Sequence, residues 1–405
     1  MEILTLEMLT DAARAGGASA LSSITELMPA GGPQELVAPA KYKYGTGSDK
    51  KATYVFEHRY VDGVPVNTVL IDSRTSMANR VEYGLKQGIA EGNAVLSNMP
   101  KICVRYKSRV EGESDIVETD LDLPHRAFDG HIRLGFDDDG KSIVDNPQYR
   151  AARNATCANA MDLLMVSPIT LVLGGWDSTG RPLARFASCL TGEITGVLSN
   201  QEQDPSDLVR HRSGARLDPI SAKIYFDRDV AASLLDRIGL DSSLKDEKGS
   251  AKISGSHAGL GIGNVPPGVS ADSLDGISVS RIIRSHVLSF ATLRSLSFGK
   301  GSEGDAAIRT LLSAIAIDGM ARVDGELQLR ANCYLVERSE PKTTIHLRYG
   351  EKSELAAISV EQADELMARA YELAHDVAGI SWQGQTLKVI GCDKVLDAID
   401  SSVKE

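Results

Sequence analysis

Residues 71–89 read IDSRTSMANRVEYGLKQGI, and the rest of the chain is organised around them. The apolar run 64–71 predicts a strand, and Asp72 or Ser73 can cap a helix that starts just after it. Met77, Val81, Leu85 and Ile89 recur every four residues, so they share one face and can pack on a sheet. At 100° per residue, Ser76, Arg80, Tyr83 and Gln87 form a second stripe beside the first. A hydroxyl, a guanidinium, a phenol and an amide in one row can serve a sugar-phosphate chain. The same row also suits a solvated helix surface. Upstream, residues 53–61 and 64–71 flank Asp62-Gly63, a dipeptide that between hydrophobic runs signals a β-hairpin.

The chain has 405 residues, enough for two domains or for one core with large insertions. A hydrophobic content of 42% with 24% charged residues describes an ordinary globular protein. The most apolar run, 161–173, contains Asp162, Ser167 and Pro168, so a membrane span is not expected. The start MEILTLEML is acidic and lacks the basic beginning of a signal peptide. Five widely separated cysteines, with no zinc spacing, suggest reduced thiols in a cytoplasm. A net charge of −11 excludes a uniformly basic nucleic-acid binder, but not a basic groove on an acidic body. Arginines do cluster, at 126, 133, 150 and 153, at 181 and 185, at 210, 212 and 216, and at 281 and 284.

Along the chain, 100–153 is irregular and reads as an insertion rather than core. The run 169–173 suits a central strand, ended by Gly174-Gly175, with a second strand over 186–194. A strand over 221–227 and a helix over 229–239 precede 241–275, which is rich in Gly, Ser, Pro and Asp and has no periodicity. Residues 280–298 read as a helix with Ile283, Val287 and Phe290 inward and Arg281 and Arg284 outward, one turn apart. Residues 305–317 form a very apolar helix. Residues 327–336 alternate like a strand, with Arg330, Asn332 and Tyr334 on its open face. Ser359 and Gln362 form a capping box before an acidic helix, and a strand follows over 386–390. This order fits an α+β fold with a split β-α-β, ferredoxin-like or RRM-like core. The segments are 1–99, 100–160, 161–240, 241–275, 276–340 and 341–405.

The chemical motifs are weak. PHRAFDGHIR carries His125, Asp129 and His131, but their spacing is not a tight ligand geometry, so no metal is expected there. GGWDSTG lacks the G-x-S-x-G nucleophile elbow, and Asp177-Ser178 reads as a turn. GLGIG at 259–263 lacks the dinucleotide spacing, and there is no Walker lysine. The aromatic signature of RNA-recognition sheets is absent from 327–336. No acid/base pair or triad can be assembled, so the chain does not read as an enzyme, and no cofactor is expected.

Five motifs occur in order: VLIDSRTSMANRVE, LPHRAFDGHIR, LVLGGWDSTG with ARFASCLTGEITG, VLSFATLRSLSFG and LQLRANCYLVE. Together they resemble the backbone subunit of the type I-G (formerly I-U) CRISPR surveillance complex, the Cas-seven family of the RAMP superfamily. The resemblance covers residues 64–336. It departs from the family pattern at Thr75 and Met77, where glutamines are expected, and at Gly174-Gly175, which an aromatic often precedes. The resemblance implies an RRM-like palm with a finger insertion (100–160) and a Gly-rich thumb (241–275). Copies would stack head to tail on a CRISPR guide RNA, beside other Cascade subunits, and present the guide for pairing with a target DNA strand. Guide contact is assigned to Ser73, Arg74, Ser76, Asn79 and Arg80, then to His125, Arg126 (with Asp129) and Arg133, and further to Arg185, Arg281 and Arg284. A carrier that accepts any spacer should grip phosphate and 2′-hydroxyl rather than base edges. Two alternatives are an RNA-cleaving subunit of type III kind using Asp72, and an unrelated acidic metabolic enzyme or binding domain.

Overall fold

The computed structural model describes residues 2–45, 51–108, 112–177, 179, 185–212 and 274–397. The strand expected over 221–227, the helix over 229–239 and nearly all of the Gly-rich stretch 241–275 lie outside the described residues.

The described elements follow the chain as α1 (Leu6–Ala13), β1 (Ala20–Pro29), β2 (Phe56–Val61), β3 (Val64–Asp72), α2 (Arg74–Ala90), β4 (Lys101–Tyr106), β5 (Ile116–Thr119) and α3 (Pro168–Leu173). Then come β6 (Leu190–Leu198), β7 (Val279–Ser289), α4 (Gly301–Gly325), β8 (Leu335–Glu337), β9 (Lys342–His346), β10 (Lys352–Leu355), α5 (Val360–Ala378) and β11 (Thr386–Ile390), with shorter pieces between. The main sheet runs β10-β9-β1-β7-β6-β3-β2, with β8 also paired to β1. Its pairings are antiparallel. Strands β7 and β9 therefore run parallel on either side of β1, with α4 connecting them through β8, which is a split β-α-β arrangement.

The opening stretch folds as its pattern predicts. Val61 and Val64 face each other across Asp62-Gly63, and both turn residues take positive φ, 52° and 80°. That is the requirement of a tight hairpin whose twist matches its strands. Ser73 caps α2 by accepting from the Ser76 amide. Met77, Val81 and Leu85 are buried, and Ile89 packs at the edge of the core.

Alternate residues of the central strands point under the helices. Leu190, Ile194, Ile282 and Leu288 lie there with Met77 of α2 and the buried length of α4. On the other face Ile24 and Val287 are exposed, so that face is open. Helix α4 is buried almost all round, against α1, α2 and α5. Its contact with α2 is close because Gly84, Gly88 and Gly319 carry no Cβ. A Cβ on Gly319 would meet Val81 at 2.6 Å, and one on Gly88 would meet Arg322 and Leu96 at 2.7 Å. The capping box of Ser359 and Gln362 opens α5.

Several expectations are corrected. Residues 279–289 form a strand, and only Phe290–Arg294 after it is helical. The alternation of this strand is hidden because Arg284 and His286 occupy two of its buried positions, leaving apolar residues that look helically spaced. Residues 168–173 form a buried helix, not a central strand, with Pro168 in its first turn. A short apolar run does not distinguish the two by periodicity. In 327–336 only the end, from Leu335, joins a ladder. The chain turns at Asn332, whose φ is 61°, after Arg330 has been drawn away to Asp72. The segment 101–153 sends Ile102, Val104, Phe128, Ile132 and Tyr149 into the common core, and β4 pairs parallel with β11 near the other end of the described chain.

Candidate nucleic-acid interface

Strand β3 delivers Asp72 to the start of α2 with its carboxylate fully buried. Its Oδ1 accepts from the Ser76 hydroxyl at 2.9 Å, from Arg330 Nη2 at 3.0 Å and from Arg80 Nη2 at 3.2 Å. Its Oδ2 accepts from Arg80 Nε at 3.0 Å. Arg330 also donates Nη1 to the Ile71 carbonyl at 2.8 Å, and Arg80 donates Nη1 to the Gln328 carbonyl. Two guanidinium groups thus share one carboxylate. The cluster keeps one net positive charge, held on a rigid frame at the end of a strand.

That charge faces a groove of about 1270 Å³ between α2 and the 326–334 segment. The stripe predicted from spacing, Ser76, Arg80, Tyr83 and Gln87, lines it together with Asn79 of α2, met by Gln328, Arg330 and Tyr334. The volume exceeds the roughly 300–1,000 Å³ typical of small-molecule pockets and suits a polymer segment better.

A second buried aspartate repeats the device. Asp177 is paired with Arg153 and, at 3.4 Å, with Arg133. Both arginines also donate to the Thr179 hydroxyl. Burial pushes the Asp177 carboxyl up, but the bonds from Arg153 and from the Thr179 amide and hydroxyl outweigh it, and the group is held down at about 2. Arg185 is exposed on a short strand directly across from exposed Trp176.

The remaining predicted contacts divide. Ser73 is the α2 cap, and Arg74 is exposed with an ion pair to Glu193 at 3.4 Å. Asn79 is exposed in the groove and His125 is exposed on its loop. Arg126 is not available to a ligand. It is 7% exposed with φ of 49°, pairs with Glu82 of α2 at 2.6 Å and donates to the Gly174 carbonyl at 3.0 Å. Burial raises Glu82 to about 7 even so, with Arg126 pulling the other way. Asp129 is a helix cap, accepting from the His131 amide at 2.9 Å, and His131 Nδ1 is hydrogen-bonded to the Tyr106 hydroxyl at 2.7 Å.

Arg281 and Arg284 do not form one patch. Three apart on a strand, they point to opposite faces. Arg281 is partly exposed between Glu26, at 3.4 Å, and Asp62, at 2.6 Å. Arg284 is fully buried under the helices, paired with Asp324 at 3.0 Å and Glu337 at 2.7 Å.

The structure therefore brings together Ser73, Ser76, Asn79 and Arg80, and adds Arg330, which spacing placed on the open face of a strand over 327–336. It adds Arg153 beside Arg133. The sequence showed a lone aspartate at each place, Asp72 and Asp177, but nothing in it tied them to Arg330 or Arg153. Among the described residues no helix is long and apolar enough to cross a membrane. A search of curated proteins finds no match. Residues 21–201 match the family model described as CRISPR-associated protein GSU0053, so the part of the chain that carries Asp72, α2 and Asp177 is similar to a CRISPR-associated protein.

Proposed function

We propose that this chain is a non-catalytic backbone subunit of a CRISPR effector complex of type I-G, and that it holds guide RNA by its sugar-phosphate chain in the groove beside α2. The observation that carries the reading is the convergence of Arg80 and Arg330 on buried Asp72, next to a row of hydroxyl, amide and phenol groups. Guanidinium groups held in a fixed fork suit phosphate oxygens. The neighbouring polar groups suit ribose 2′-hydroxyls, and neither contact depends on base identity. An acidic protein can do this because only the part of the groove beside Asp72 needs positive charge; Glu91, Glu326 and Glu361 also line the groove.

In this reading the guide's bases outside the groove remain free to pair with target DNA. Further copies of the chain and other Cascade subunits complete the complex in the cytoplasm. The buried Asp72 carboxylate anchors arginines and takes no part in cleavage.

The test is binding of the purified chain to single-stranded guide RNAs of unrelated spacer sequence across a salt series. Equal affinity for all sequences is expected, with log affinity falling linearly with log salt. The double replacement Arg80→Ala with Arg330→Ala should weaken every guide alike and flatten the slope by about 1–2 phosphate contacts' worth. Unchanged affinity, or a guide preference that follows base sequence, would refute it. Recovery of no small RNA with the chain from cells carrying a CRISPR array would count equally against it.

A further inference from the structure

We propose that Tyr83 and Tyr334 clamp one nucleotide of the bound strand by stacking on its base. This inference rests on the groove reading above and deepens it. Both rings line the same groove, from opposite walls: Tyr83 from α2 and Tyr334 from the segment that carries Arg330. They are 55% and 62% exposed, so each leaves a large aromatic surface free in the groove. Their backbones are firmly placed. Tyr83 lies between buried Val81 and Leu85, and Gly84 beside it packs on Arg322. Tyr334 lies between buried Cys333 and Leu335, and its carbonyl accepts from the Ala30 amide at 2.9 Å.

Exposed rings on rigid supports lose little freedom when they bind, since a tyrosine has only two side-chain torsions. Every base has a π-face, so stacking tolerates any sequence, as a carrier of variable guides requires. The arginines on Asp72 would hold the phosphates on one side of the nucleotide while the two rings hold its base. This explains why the aromatic signature of RNA-recognition sheets is absent from 327–336: the rings stand in a groove between a helix and a loop, not on the sheet.

The experiment compares the full chain's affinity for a single-stranded RNA with that for an abasic strand of equal length, using Tyr83→Leu, Tyr334→Leu and Tyr83→Phe. Each leucine variant should weaken RNA binding about 5- to 150-fold, the range for loss of one stacked base, and leave abasic binding unchanged. Tyr83→Phe should retain wild-type affinity, which separates stacking from a phenol hydrogen bond. The salt slope should not change in the tyrosine variants, because stacking releases no counterions. If the leucine variants bind RNA as well as wild type, or lose affinity for both strands alike, the clamp is wrong while Arg80-dependent binding survives. If wild type binds neither strand, the groove reading falls and takes the clamp with it.

Discussion

Replacing Asp72 with asparagine should destabilise the protein by about 3 kcal/mol. The side chain is fully buried and takes bonds from Ser76, Arg80 and Arg330 at 2.9–3.2 Å. Asparagine keeps the volume and one acceptor oxygen. It removes the charge and turns an amide N–H2 toward a guanidinium. A hydrogen bond to a charged group contributes roughly 1.5–3 kcal/mol, and breaking a buried ion pair costs roughly 3–5 kcal/mol. The arginine side chains are 20% and 27% exposed, so water relaxes part of that penalty and the lower end applies. Arg80→Ala should cost less, about 1–2 kcal/mol, because Asp72 keeps Arg330. It should not be neutral, although spacing alone places Arg80 on a solvated stripe. Equilibrium unfolding in denaturant, monitored by circular dichroism, measures both changes. A double-mutant cycle between positions 72 and 330 should show a coupling of at least about 0.5 kcal/mol. A loss under about 0.5 kcal/mol for Asp72→Asn, with zero coupling, would show that the two arginines do not depend on this carboxylate.

Asp120, fully buried, is pushed up to about 7 by burial, against hydrogen bonds from Ser167 and the Ile102 amide. Its folded value lies above its unfolded one, so the folded state holds the extra proton between about pH 4 and 7, and stability declines as pH rises through that window. Asp120→Asn should remove up to about 1.4 kcal/mol per pH unit of this slope and raise stability at pH 8; an unaltered stability-pH profile would contradict the assignment. Gly88→Ala would ordinarily strengthen a helix by about 1 kcal/mol. Here its Cβ meets Arg322 and Leu96 at 2.7 Å, so a net loss of about 1–3 kcal/mol is expected from thermal or denaturant unfolding. Arg284→Ala should cost about 3 kcal/mol by removing the guanidinium paired with the largely buried Asp324, while Arg281→Ala should cost under about 1 kcal/mol. Equal losses for the two would refute the opposite burial of their side chains.

Most local structure was legible because it depends on neighbours in sequence. The hairpin at Asp62-Gly63, the capped helix after Asp72, the capping box at Ser359 and the long apolar helix each carry their own signal, in turn chemistry or in a repeat of 3.6. The polar stripe of α2 was legible in the same way. The errors fall where tertiary burial overrides local pattern. Strand β7 hides its alternation behind Arg284 and His286, whose partners Asp324 and Glu337 lie on other elements. Residues 168–173 carry too few turns for their period to speak.

By itself, then, the sequence determined which side of α2 is apolar, where that helix begins, and that Ser76, Arg80, Tyr83 and Gln87 share a stripe. Only the tertiary structure decided that Arg330 joins Arg80 on one carboxylate, that Arg126 and Arg284 turn inward, and that Tyr334 stands in the groove with Tyr83. The physical reason is that helical phase is set by torsions a few residues long. The destination of a charged side chain is set by whichever counter-charge folding brings within reach, and that partner can lie hundreds of residues away.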